Sequence, residues 1–331
     1  MPVITTTQGK QFAAAKGESL LDAALRADVS LAYSCRTGRC STCRSRVLSG
    51  TTEALHEETG LAVDERAAGW ILSCVRAATS DALIEFDDLG DVRLTPAKTL
   101  PCRIHSLELV SDDVLKVTLR LPPNSGFSYR PGQYIDVIGH GGLRRSYSIA
   151  NAPAKGAHLE LHIRRVPGGA MSDYWFALAK PNDLLRMNGP LGTFFLRDAA
   201  GLDLVFLSTG TGIAPVKAML EGLAEMAPDI SPRSASVYWG GRTPQDIYWN
   251  PGALGFEHRF IPVLSRANAE WAGARGHVQN ALLADNPALG QVSVYACGSD
   301  AMIDSAREVL TAAGLPARRF HSDAFVCSAA V

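Results

Sequence analysis

The sequence predicts a multidomain α+β and α/β chain: a small α+β domain, an antiparallel β-barrel, and a doubly wound parallel sheet. Three observations lead there. At about 150 residues per domain, 331 residues exceed one small module. Hydrophobic residues make up 47% and charged residues 20%, which suits compact domains with cores of their own. The patterning also changes twice along the chain, from strand–helix–loop, to alternating strands, to short apolar runs separated by helical segments.

In the first segment Val3 onward reads as strand, turn, strand. A helix follows near Ser19 to Arg26, with Ser19 as N-cap and Leu20, Leu21, Ala24 and Leu25 as its apolar face. Arg44–Leu48 reads as a strand, Glu53 to Glu58 as an acidic stretch, and Ala82–Phe86 as an apolar strand. The polar, Pro96-containing stretch Asp87 to Pro101 reads as a linker. From Cys102 to about Arg197, Leu115, Val117, Leu119 and Leu121 alternate with polar residues, as do Leu159, Leu161 and Ile163. Six or so strands and one helix suggest a barrel. In the last third, Leu202–Leu207, Ser236–Trp239, Phe260–Leu264 and Val292–Cys297 are buried-strand runs between helices, the mark of a parallel sheet. The expected boundaries are 1–92, 98–198 and 200–331.

Composition excludes some roles. Lys plus Arg total 32 against 33 for Asp plus Glu, a formal charge of −1, so no basic field exists to attract nucleic acid. No apolar stretch approaches the roughly 18 residues that span a bilayer, and the start lacks a leader-like pattern, so a cytoplasmic monomer with no membrane partner is expected.

Seven cysteines are present, three of them within Cys35 to Cys43. Cys35, Cys40 and Cys43 followed by Cys74 give C-x4-C-x2-C and a distant fourth cysteine, the plant-type spacing for a 2Fe-2S cluster. Thiolates are the soft ligands such a core needs, and the small residues Ser34, Gly38, Ser41 and Thr42 let backbone N–H groups approach the sulfurs. A structural zinc site is the alternative, although paired CxxC knuckles are its common pattern. This segment resembles plant-type ferredoxins of β-grasp fold, which usually carry Gly at the position of Ser41.

Arg145-Ser-Tyr147-Ser148 follows the strand Gln133–Ile138 and offers a cation, an aromatic ring and a hydroxyl suited to a flavin nucleotide. By itself it reads as ordinary strand sequence. Val166 to Ser172 opens the helix of this domain, where free N–H groups can hold phosphate, and Gly189-Pro-Leu-Gly-Thr-Phe194 follows. In this order the patches resemble the FAD-binding barrel of the ferredoxin-NADP reductase superfamily. The resemblance implies that Arg145 and the turn Gly169, Ala170, Met171, Ser172 bind the FAD pyrophosphate, that Tyr147 lies along the flavin, and that Ser148 approaches N5. His162 reads as structural.

Strand Leu204–Leu207 runs into Ser208-Thr209-Gly210-Thr211-Gly212-Ile-Ala-Pro215 and a helix, the order dinucleotide binding needs, although the third fingerprint glycine is missing. This stretch resembles the superfamily's nicotinamide domain. Tyr295-Ala-Cys297-Gly298-Ser299 ends a strand before the helix Ala301–Ala312. The resemblance puts Cys297 and Gly298 at the nicotinamide, with Ser148 and Cys297 beside the hydride; a buried structural cysteine is the alternative. It also puts Phe325 over the flavin until nicotinamide displaces it. Cys102 and Cys327 have no such context.

The whole chain thus resembles iron-sulfur flavoprotein reductases: NADH, with NADPH as the alternative, passes hydride to FAD, and single electrons leave through the cluster. Arg242, after the second strand of the last domain, offers a cation that could meet a 2′-phosphate. The acceptor is expected to be a protein, first a multicomponent oxygenase component and second a pyridoxamine-dependent dehydrase of deoxysugar synthesis. Arg144–Pro153, Val294–Ser299 and Ser322–Val326 resemble CDP-6-deoxy-3,4-glucoseen reductases, whereas Gly38-Arg39-Cys40 leans toward oxygenase reductases. A redox sensor is a further alternative. Arg36, Arg39, Arg44 and Arg46 form the expected docking patch for an acidic partner.

Overall fold

The computed structural model describes residues 1–153, 158–197, 199–227, 230–252, 254 and 256–325, with the backbone alone at His140. Cys327 and Val326 lie outside the described residues. The chain forms two compact units, Met1–Thr95 and Pro96–Val331.

In the first unit, β1 (Val3–Thr6), β2 (Gln11–Ala13), β3 (Arg44–Ser49), β5 (Trp70–Leu72) and β7 (Ala82–Glu85) form a sheet of order β2-β1-β7-β3-β5, and β4 (Thr52–Ala54) pairs with β6 (Arg76–Ala78). Helix α1 (Leu20–Arg26) begins where Ser19 Oγ accepts the Asp22 N–H at 3.0 Å, an N-cap that satisfies one of the orphan donors of the first turn. Leu20, Leu21, Ala23 and Ala24 are buried, so the apolar stripe turns toward Ala23, while Leu25 only borders the core. Each fully buried Leu or Ile contributes about 1.5–3 kcal/mol, and Ile4, Leu20, Leu21, Leu72 and Ile84 meet in one core beneath the sheet. The short helix α2 (Val63–Ala67) lies outside that core, with no buried residue.

The expected linker is too long at both ends. Lys10 Nζ reaches Asp88 at 2.8 Å and the Gly90 carbonyl at 2.7 Å, and Ala32 N–H bonds to the Asp87 carbonyl, so residues 87–90 belong to the first unit. The strand β8 (Lys98–Ser111) then starts within the stretch assigned to the linker.

The second unit begins with an antiparallel sheet of β8, β9 (Val114–Arg120), β10 (Tyr134–Ile138), β11 (Arg144–Ser148), β12 (His158–Arg164) and β13 (Leu184–Leu191), in the order β11-β10-β13-β8-β9-β12. An Ile149–Leu161 bridge joins its two ends and makes it a barrel around Ile104, Val117, Leu119, Ile135 and Leu161. One helical turn, α3 (Ala170–Asp173), continues into a π-turn at Tyr174–Leu178.

The remaining strands, β14 (Asp203–Thr209), β15 (Ser234–Gly241), β16 (His258–Leu264), β17 (Ala274–Arg275), β18 (Val292–Gly298) and β19 (Phe320–Ala324), form an all-parallel sheet of order β17-β16-β15-β14-β18-β19. The helices are α4 (Ile213–Ala224), α5 (Val278–Ala284) and α6 (Asp300–Ala312), the last capped by Ser299. Strand order reverses at β14, between β15 and β18, and the crevice beyond those strand ends is where an open parallel sheet receives a ligand. Barrel and sheet are joined by polar contacts. His162 bridges Glu160 and the Tyr248 hydroxyl at 2.9 and 3.1 Å, and Lys217 of α4 bonds to the Ala150 carbonyl and Glu221. Among the described residues no helix is long and apolar enough to cross a membrane.

Candidate functional site

The four thiols of the first unit fall into two pairs. Cys43 and Cys74 Sγ lie 3.1 Å apart, and Cys40 Sγ accepts the Cys35 N–H at 3.4 Å. Thr37 N–H points at Cys35 Sγ at 3.4 Å, and the backbone at Gly38 and Arg39 faces Cys74 and Cys35, so the loop directs N–H groups at the sulfurs. The Cys40 thiol, against burial, holds Cys35 down at about 5, and Cys43 lowers Cys74 in the same way; Cys40 and Cys43, the donors, are pushed up. Among the described residues no three His, Cys, Asp or Glu side chains converge on a single ion. Two thiol pairs ringed by N–H donors suit a two-iron core better than one tetrahedral zinc.

Ser41 adopts φ +58°, a left-handed conformation that disfavours side chains, and its hydroxyl bonds to the Gly60 carbonyl. That bond explains how a serine occupies a position where resembling ferredoxins have glycine. Glu58, 5% exposed, accepts the Leu72 N–H at 2.7 Å and pairs with Arg76, so one carboxylate grips both sides of Cys74. The docking patch is weaker than its four arginines suggest: Arg36 pairs with Asp22, and Arg44 pairs with Glu65 and stacks 3.9 Å over Trp70.

On the barrel, Arg145 and Tyr147 project from one face of β11, two residues apart. Trp175 Nε1 donates to the Tyr147 hydroxyl at 3.0 Å, ring centroids 6.2 Å apart, and burial pushes that phenol up to about 12. Gly169 caps α3; Val166 N–H donates to Ser172 Oγ at 2.8 Å and closes the turn. The Met171 side chain is buried in the barrel core, leaving only its backbone for a ligand. Ser148 is buried at the strand end.

In the parallel sheet, Thr209 ends β14 and Gly210–Gly212 form one 3-10 turn before α4. A Cβ at Gly212 would strike the Cys297 carbonyl, and one at Gly298, with φ +146°, would strike Thr209 Oγ1. Those glycines let the ends of β14 and β18 touch, and Gly212 does the packing of the missing fingerprint glycine. A cavity of about 470 Å³ opens over these strand ends, with Thr209, Gly210, Gly241, Arg242, Ser265 and Ser299 on its wall. Cys297 is 0% exposed; burial, with Asp323 adding to it, pushes its thiol well up. The thiol is enclosed in the apolar cluster against which Phe325 packs, the residue expected to be displaced by nicotinamide. Phe325 N–H bonds to the Gly298 carbonyl at 2.8 Å, and its ring packs on the same core.

Comparison with known proteins decides the family. Residues 4–79 match the 2Fe-2S iron-sulfur cluster binding domain, 101–196 the oxidoreductase FAD-binding domain, and 206–308 the oxidoreductase NAD-binding domain. The chain is 41% identical over 314 residues to the CDP-6-deoxy-L-threo-D-glycero-4-hexulose-3-dehydrase reductase of Yersinia pseudotuberculosis, covering 94% of each. The chain belongs to the three-domain 2Fe-2S ferredoxin/FAD/NAD reductases. It is also 33% identical to the terephthalate 1,2-dioxygenase reductase component 2 of Comamonas sp, covering 95% of this chain and 94% of that one. Among solved structures, the Amycolatopsis cytochrome P450 reductase GcoB matches with TM-score 0.77 and 29% identity over 98% of this chain and 99% of that one.

This reductase is an NAD(P)H-dependent oxidoreductase that works with a 2Fe-2S cluster, FAD and NAD(P). Its β-grasp-like ferredoxin sheet, flavin barrel and parallel nucleotide sheet are the expected fold class. Sequence reasoning missed Glu58, Asp113, Arg164 and Asp246. Arg164 lies against Gly210, where a Cβ would come within 2.6 Å of Nη1, and pairs with Asp113 at 2.9 Å, so the barrel supplies part of the cavity's wall. A strand Arg reads as surface until its partner 51 residues away is in place.

Proposed function

We propose that this reductase delivers electrons from NADH to a pyridoxamine-dependent dehydrase acting on a CDP-linked 6-deoxyhexulose. The observation that carries the reading is the 41% identity to a dehydrase reductase across 94% of both chains, against 33% for a dioxygenase reductase over similar coverage. These numbers reverse the order in which the sequence ranks the two acceptors. When bound, FAD would supply a hydride acceptor and the cluster a one-electron carrier, chemistry that couples a two-electron donor to one-electron delivery.

The chain's own residues hold and shield these groups. Arg145 supplies charge for the FAD pyrophosphate together with N–H groups of the Gly169–Ser172 turn, and Tyr147, braced by Trp175, lines the flavin. Ser148 is assigned to the flavin N5 side. Thr209, Gly210, Thr211, Gly212 and Gly298 shape the turn that receives the nicotinamide nucleotide, and Phe325 covers the strand end above Cys297. Cys35, Cys40, Cys43 and Cys74 ligate the cluster. We assign the ferredoxin, flavin and nucleotide domains to 1–92, 98–198 and 200–331.

The oxygenase reading keeps one supporting feature, the Gly38-Arg39-Cys40 loop. Parallel assays decide. With NADH, this reductase should drive a purified CDP-6-deoxyhexulose 3-dehydrase through its reduction step, and should reduce an aromatic-ring oxygenase component at least about tenfold less efficiently, a difference of about 1.4 kcal/mol in barrier. Equal or better oxygenase turnover would reverse the assignment.

A further inference from the structure

The nucleotide cavity has an unusual wall at the end of β15. Arg242 Nη2 lies 2.9 Å from Asp246 Oδ1, and Nε lies 3.2 Å from Oδ2. The backbone N–H groups of Arg242 and Thr243 donate to that same Oδ2 at 2.7 and 3.1 Å. From the flavin barrel, Asp113 Oδ2 stands 3.6 Å from Arg242 and accepts from Arg164 Nε at 2.9 Å, while Arg164 Nη2 lies 3.6 Å from Asp246. Two guanidinium groups and two carboxylates therefore alternate with no net charge, and Arg164, Arg242 and Asp246 of them line the cavity. Burial opposes ionisation of Asp246, but Arg242 and the two N–H groups outweigh it and hold the carboxyl down to about 2.

The end of the second strand of such a sheet is where the adenine-side ribose is read: an acidic residue there bonds a 2′-hydroxyl, whereas an arginine accommodates a 2′-phosphate. Arg242 alone would mark a phosphate-accepting site. Its side chain is 53% exposed, so access does not decide the matter; charge does. An entering 2′-phosphate would meet a guanidinium already bound to one carboxylate and flanked by a second, and would have to displace them or lie against them.

We propose that Asp246, assisted by Asp113 from the flavin barrel, sets coenzyme choice: the two carboxylates occupy Arg242, so the cavity takes a nicotinamide nucleotide without a 2′-phosphate. The proposal rests on this cavity being the nicotinamide-nucleotide site and adds the residues that select between coenzymes. The selecting group sits in one domain and is reinforced from the other, so the choice depends on the seam between barrel and sheet.

The test is equilibrium binding of 5′-AMP and of adenosine 2′,5′-bisphosphate to the holoprotein, beside kcat/KM for NADH and NADPH. The wild type should bind 5′-AMP at least about tenfold more tightly than the bisphosphate. Asp246→Asn keeps an oxygen for the two N–H groups but removes the charge, and should shift the binding ratio about tenfold or more toward the bisphosphate, with NADPH use rising in step. Asp113→Asn should shift it the same way by less, and decides alone if the Asp246 variant does not fold. Adding Arg242→Ala should erase the gain. Equal binding of the two nucleotides by the wild type, or a ratio unchanged within about twofold in both Asn variants, would overturn the proposal. If NADH turnover persists while the wild type and every variant fail to bind either nucleotide, the location of the nucleotide site is wrong, and the proposal falls with it.

Discussion

Replacing Glu58 by Ala tests how the fourth cysteine is held. The carboxylate is 5% exposed, accepts the buried Leu72 N–H at 2.7 Å and pairs with Arg76. Truncation leaves a buried N–H unsatisfied, worth about 1–3 kcal/mol, and frees a guanidinium that is only 22% exposed and must turn outward to hydrate. The two effects sum to about 3 kcal/mol, the lower part of the range for breaking a buried pair, because Arg76 can reach water. Leu72 and Arg76 flank Cys74, so the lost stability should appear as a looser cluster. In guanidinium titrations of the holoprotein followed by visible absorbance, cluster bleaching should move to clearly lower denaturant in Glu58→Ala, while flavin release, which belongs to the other unit, should not move. Glu58→Gln retains the acceptor for the Leu72 N–H and should recover about half of the loss. A bleaching midpoint in Glu58→Ala equal to wild type would refute the reasoning.

Arg145→Ala should lose about 1.5–3 kcal/mol of FAD affinity, the value of a charge-assisted hydrogen bond, seen as substoichiometric flavin after dialysis; full retention would show that Arg145 does not hold the pyrophosphate. His321 is held neutral by burial, with Arg197 and Arg307 adding to the effect, and its pKa falls to about 3. Its folded pKa lies below the unfolded value, so its contribution is complete above about pH 6.5 and is lost as pH falls toward 3; between pH 7 and pH 5 this amounts to about 2 kcal/mol. Denaturation midpoints at those two pH values should differ less in His321→Phe than in wild type, and equal differences would contradict it.

The sequence carried the chemistry that lies in contiguous spacing and missed what folding brings together. C-x4-C-x2-C is legible because ligands to one cluster crowd one loop, and the turn after β14 is legible because strand, glycines and helix follow in order. Ser41 looked like a departure at that loop; its support comes from Gly60, nineteen residues on. Asp87 to Gly90 reads as linker by composition, yet Lys10 ties it down from 78 residues away. Cys297 could be placed at a strand end, but its complete burial was not legible, because both faces of a buried parallel strand are apolar. The four-charge ring has no sequence signature: Arg242 stands out by its place after the second strand, but Asp113, Arg164 and Asp246 each read as surface, and the members come from two domains.

If the assignment is right, NADH reduces, through the flavin, a 2Fe-2S cluster held by Cys35, Cys40, Cys43 and Cys74. Anaerobic titration of the purified holoprotein with NADH, followed by electron paramagnetic resonance and metal analysis, tests it directly. The expected result is about two irons per flavin and a rhombic one-electron signal that grows as NADH is added. In Cys40→Ser that signal and cytochrome c reduction should be lost while most NADH-ferricyanide activity remains. Stoichiometric zinc in place of iron, or flavin bleaching by NADH with no paramagnetic cluster signal, would rule out electron flow through such a cluster.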